Sequence, residues 1–205
     1  IKKAVLYIIS IHIPIILTVS LPLFLGWVFP QIFTPVHVIF LELVMEPTCS
    51  IVYENEPIEK NAMLQPPRVI TNTFLSWREL TISIIQGLVI TAGVLFVYQY
   101  TVHKGGNEAE TRAMVFSTLI FSNILLSLAN RSFYYSMLHS FKNRNSLLVG
   151  INAITLVLLF LILYFKPFSA FFKVSCLNAA QLLTALAIAT VSVLWFEVYK
   201  LIKRN

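Results

Sequence analysis

The chain has 205 residues, 58% hydrophobic and 12% charged, with a formal net charge of +6 at pH 7 and a mean hydropathy of +0.80. That composition excludes an ordinary soluble domain and points to an integral membrane protein. The excess of 15 Lys and Arg over 9 Glu would hint at nucleic acid in a soluble chain; here it sets orientation in a lipid bilayer, and no nucleic-acid partner is expected.

A helix crosses the hydrocarbon core with roughly 20 apolar residues. Runs of that kind occupy about 4–29, 33–53, 80–102, 113–130, 145–165 and 174–199. The expected fold is therefore an all-α membrane protein, one domain over 1–205 with six transmembrane helices. A membrane barrel would need alternating segments of about ten residues, and these runs are continuous. With both termini cytoplasmic, Lys2, Lys3, Lys60, Arg68, Arg78, Arg131, Lys142, Arg144, Lys200, Lys203 and Arg204 lie inside. Lys104, Arg112, Lys166 and Lys173 lie outside. The split of 11 to 4 favours that orientation. The chain begins with Ile rather than Met, and Lys2 and Lys3 make a poor signal peptide, so a piece of a longer protein is expected.

In the first span, Pro14 and Pro22 deprive the carbonyls of Ser10 and Thr18 of their helical donors. Helices broken this way expose backbone oxygen to ions in transporters, although prolines also serve packing alone. His12, deep in the same apolar run, reads as an ion ligand, a proton carrier or a hydrogen-bonded interior residue. The connection Gly26 to Thr34 is short and uncharged, with Trp27 and Phe29 placed like interfacial anchors, and His37 is expected near the outer surface and solvated.

The second span, VHVIFLELVMEPTCSIVY, carries two carboxylates in its middle. At about 100° per residue the four-residue spacing leaves Glu42 and Glu46 about 40° apart on one helix face. A carboxylate at mid-membrane costs on the order of 2.5–3.5 kcal/mol and marks an ion path, a proton relay or a buried partner. Pro47 has no N–H, so the Leu43 carbonyl becomes a free dipole near the acids. Carboxylate and backbone oxygens then converge on a cation site, against the blander reading of a protonated pair holding helices together. Cys49 and Cys176 suggest no disulfide or zinc framework.

The longest polar connection, 54–79, holds Glu54, Glu56 and Glu59 and a stiff Gln65-Pro66-Pro67-Arg68 turn. It reads as a cytoplasmic loop with much to offer a partner, or as a solvated linker. The third span contains Gln86, Gly87 and Gly93, small enough for close helix approach, and its HKGGNEAETR loop reads as flexible and without chemistry. Asn123 in the fourth span offers a neutral oxygen ligand or an interhelical hydrogen bond. The fifth and sixth spans read as apolar support. No GxxxxGK[ST], GxGxxG or HExxH is present, so no covalent catalysis is expected within the chain.

Together FLELVMEPTCS, IVYENEP…MLQPPR, MVFSTLIFSNILLSLANRS and WFEVYKLIKR resemble the C-terminal half of a P-type cation-transporting ATPase of the calcium-pump class. The resemblance covers essentially the whole chain and makes its spans the family's fifth to tenth membrane helices. It implies that ATP and Mg2+ act in upstream domains, which hold the phosphorylated Asp of a DKTG motif absent here. It also implies lipid and those upstream transmembrane and cytoplasmic domains as partners, and a plasma (inner) membrane location. The family's Asn, Thr and Asp ligands of the sixth helix match Glu42, Met45 and Glu46. On the fifth helix its Asn matches His12 while its Glu falls at Ile15, and the eighth-helix ligand falls near Asn123. Copper- and zinc-type pumps differ in their Cys motif. The expectation is transport of Ca2+ through a site of Glu46, Glu42, Leu43, His12 and Asn123. The rival reading is a free-standing six-helix carrier, channel or scaffold.

Overall fold

A computed structural model describes residues 2–53, 75–131 and 146–204. Its elements are α1 (Lys2–Phe24), α2 (Pro35–Pro47) continuing into a π-helical turn (Thr48–Val52), α3 (Trp77–His103), α4 (Glu108–Ala129), α5 (Ser146–Tyr164), a short α6 (Lys166–Phe171) and α7 (Ala179–Arg204). Among the described residues there is no strand, and six helices are long and apolar enough to cross a membrane. The all-α expectation holds. The sixth span starts at Ala179 rather than near 174, because α6 and an irregular stretch take up the connection.

The expectation of a broken first helix is corrected. Pro14 and Pro22 lie inside an uninterrupted α1. The α3–α4 connection is a tight turn: Gly105 adopts φ 79°, Gly106 N–H donates to the Thr101 carbonyl at 2.9 Å, and Asn107 Oδ1 caps α4 by accepting from Glu110 N–H at 2.8 Å. The left-handed backbone needed there is the one glycine adopts without a Cβ penalty.

The centre of the bundle is α4. Its apolar stretch is 83% buried, against 28–39% for the other five spans, and it packs most extensively on α7 and also on α3. The second large contact joins α1 to α3. A Cβ at Gly87 would stand 2.8 Å from Ile13 Cβ and 2.9 Å from the Ser10 carbonyl oxygen. The carbonyl that Pro14 deprives of its donor is thus covered by the α3 backbone.

Each end of the bundle is tied by cations. At one end Lys2 pairs with Glu79 at 2.7 Å, and Lys3 and Lys200 donate to the carbonyls of Arg131 and Ala129 at 2.9 and 2.6 Å. These lysines satisfy carbonyls left without helical donors at the end of α4 and complement its dipole. At the other end the buried Arg112 donates to the Ile32 and Lys173 carbonyls at 2.7 and 2.8 Å and to Glu108 one turn back.

Candidate ion site

The site is built on α2. Thr34, in extended backbone, precedes Pro35 at the first helical position, where the fixed φ of proline suits helix entry. His37 then folds back, its Nδ1 lying 2.8 Å from Thr34 Oγ1 and accepting from Thr34 N–H at 3.3 Å. The expectation that His37 is solvated is wrong: it is fully buried, stacked on Phe33 and set edge-on against Phe116 and Phe172. Docking of α2 against Phe116 of α4 and Phe172 just past α6 accounts for this.

From that anchored start the helix presents two unlike faces. Leu41, Val44 and Met45 are buried, whereas Glu42, Leu43 and Glu46 are exposed. The two carboxylates therefore share one open face, as their spacing requires. His12 of α1 stands beside them, Nε2 3.4 Å from Glu42 Oε1, with the two side chains 37% and 47% exposed. Its other nitrogen, Nδ1, lies 2.8 Å from the Ile8 carbonyl. The Glu46 carboxylate has no hydrogen-bond or ion-pair partner among the described residues.

Below the acids the span changes pitch. After Pro47 the backbone runs as a π-helical turn, with Tyr53 N–H donating to Thr48 O at 3.4 Å. Such single turns widen the helix and recur at functional sites. Tyr53 leans on Tyr7, ring centroids 5.4 Å apart, and the Tyr7 hydroxyl donates to Asn123 Oδ1. Asn123 is thus buried behind the span and joined to α1 and the π turn, while His12 and Glu42 meet on its open side. Glu54, Glu56, Glu59 and Arg68 lie outside the described residues.

Ile15 and Met45, 4% and 2% exposed, are part of the apolar core. Among the described residues no three His, Cys or Glu side chains gather as a metal centre. What α1 and α2 place on this open face is two carboxyl groups and one imidazole.

Sequence reading missed two features of the bundle. Arg112, which the charge split places on the outer side, is 4% exposed. The sixth span, read as apolar support, buries Glu197 and Lys200, paired at 2.6 Å. The signal for that pair was present, since opposite charges three apart share a helix face.

Residues 30–202 match the family model described as cation transporting ATPase, C-terminus. Over 205 residues the chain is 27% identical to calcium-transporting ATPase 1 of Lactococcus lactis, covering 99% of this chain and 23% of that protein. It is 20% identical to calcium-transporting ATPase type 2C member 1 of Mus musculus and of Homo sapiens, covering all of this chain and 22% of each. The chain spans less than a quarter of the length of these curated relatives.

Proposed function

The chain belongs to the family of cation-transporting ATPase C-terminal regions, and from that premise we propose that it moves Ca2+ through a site centred on Glu42 and Glu46, driven by ATP hydrolysis in upstream domains. The observation that carries this reading is the pair of carboxylates exposed on one face of an apolar span. Lipid would be a costly neighbour for that face, so in the complete protein it is covered by upstream transmembrane helices, which contribute further oxygens. Upstream cytoplasmic domains supply phosphorylation, with ATP and Mg2+ acting there. The spans are then the fifth to tenth helices of a pump in the plasma (inner) membrane, both termini cytoplasmic. The 54–79 loop, through Glu54, Glu56, Glu59 and Arg68, transmits phosphorylation to the ion path.

Calcium as cargo is supported by the names of the relatives and by the chemistry of the face. Ca2+ takes about 6 to 8 oxygen ligands at about 2.3–2.6 Å. Two carboxylates neutralise one such ion, and the Leu43 carbonyl and upstream groups complete the shell. Ile15 and Met45 lend no oxygen, so one ion per cycle is the proposed stoichiometry. Asn123, bonded to Tyr7, contributes through the α1–α4 contact. His12 and Glu42, in contact at 3.4 Å, are the proposed carriers of proton countertransport.

The test is phosphorylation of the complete protein against free Ca2+. A Hill coefficient near one is expected, and Glu46→Gln should weaken apparent affinity at least about tenfold, because the site loses one of its two charges. Two bound Ca2+ with a Hill coefficient clearly above one would reject the single ion. Wild-type affinity in Glu46→Gln would remove that residue from the site.

A further inference from the structure

At the lysine-rich end of the bundle a cleft of about 310 Å³ opens between the first turns of α3 and the last turns of α7, lined by Arg78, Thr81, Ile82, Ile85, Trp195 and Tyr199. We infer that this cleft binds one anionic glycerophospholipid. It lies on α3 and α7, away from Glu42 and Glu46 of α2, and the inference goes beyond the ion-transport reading.

The first argument is the order of chemistry along the two helices. On α3 the lining runs from guanidinium through hydroxyl to isoleucine, with Leu88 exposed one turn further on. Arg78 to Ile85 is seven residues, about 10 Å at the helical rise. On α7 it runs from the Tyr199 hydroxyl to the Trp195 indole and then to Val191, 75% exposed. Both walls thus pass from charged or polar to apolar in the same direction, as a phospholipid does from phosphate through glycerol esters to acyl chain. Trp77, 84% exposed beside Arg78, marks the headgroup level where amphipathic rings settle.

The second argument is charge. Lys2 and Lys200 at this end are matched by Glu79 and Glu197. Arg78 donates to the Tyr199 hydroxyl at 3.1 Å and has no carboxylate partner among the described residues. Its guanidinium keeps further N–H donors in a planar fork suited to phosphate. A soluble phosphate ester would use Arg78 but leave the isoleucine half of the cleft unfilled, which favours the lipid.

The experiment uses the complete protein, purified in neutral detergent with equal phosphatidylglycerol and phosphatidylcholine, with retained lipids counted by native mass spectrometry. Phosphatidylglycerol should be retained about fivefold over phosphatidylcholine, since one basic side chain near the surface gives a preference of that order. Arg78→Gln should bind one phosphatidylglycerol fewer per protein, Arg78→Lys should keep it, and Ile85→Trp, which fills the cleft with the cation intact, should lose it. Equal retention of the two lipids, or an unchanged count in either Arg78→Gln or Ile85→Trp, would overturn the inference. Displacement of the lipid by glycerol phosphate alone would assign a soluble phosphate ester and overturn the lipid as occupant.

Discussion

Arg112 is the residue whose loss the bundle should tolerate least. Its donors reach the Ile32 and Lys173 carbonyls and, at 3.4 Å, that of Gln31, so one side chain fastens the α1–α2 connection and the stretch after α6 to the start of α4. Arg112→Met would leave these carbonyls without donors, a cost of about 1–3 kcal/mol for each that stays dry. A clear fall in the thermal unfolding midpoint in detergent is expected. Arg112→Lys should recover little, because a single ammonium cannot span partners on two segments. A midpoint equal to wild type in Arg112→Met would show the clamp to be dispensable. His37 makes the complementary point: a ring that the sequence places at the surface is buried because Phe33, Phe116 and Phe172 surround it.

Among the elements, α3 separates two kinds of close approach. At Gly87 an added Cβ would meet the Ser10 carbonyl and Ile13 Cβ, both near-rigid parts of α1. At Gly93 it would meet chiefly the Ser192 hydroxyl, the end of a side chain that can rotate away. Gly87→Ala should therefore force α1 from α3 and lower the unfolding midpoint markedly, whereas Gly93→Ala should sit near wild type, helped by the better helix propensity of alanine. Equal effects at the two positions would contradict this account of the α1–α3 contact. The contrast also bears on transport, since α1 carries His12 and α3 fixes where α1 stands.

For the whole molecule the open question is direction. Lys2, Lys3, Arg78, Arg131 and Lys200 gather at one end of the bundle and Lys104, Arg112 and Lys173 at the other, and on the positive-inside rule we propose the first end as the cytoplasmic one. With Cys49 and Cys176 replaced by Ser, Lys104→Cys should react with an impermeant thiol reagent added outside intact cells, and Asn143→Cys only after permeabilisation. Reaction of both on the same side would refute a six-span arrangement with cytoplasmic termini. The carboxylate face has its meaning at this scale too. Within the described residues it is an exposed strip on α2, and the proposed site closes only where further helices cover that strip.

What the sequence determined by itself follows from local rules. Apolar length set the number of spans, and helical periodicity put Glu42 and Glu46 on one face. Motifs such as FLELVMEPTCS and MLQPPR carried the resemblance to the pump family. What only the tertiary structure decided depends on which distant residues meet. The Glu42 face is open while the Met45 face is closed because α4 packs on one side of α2 and not on the other. Asn123 meets Tyr7 rather than the acids because α4 lies behind the span. Arg112 and His37 are buried because two connections fold over the end of α4. None of this is encoded in periodicity, since a helix of given sequence presents the same faces whichever neighbours it finds, and in a membrane apolar surface alone does not say which face packs against protein and which against lipid.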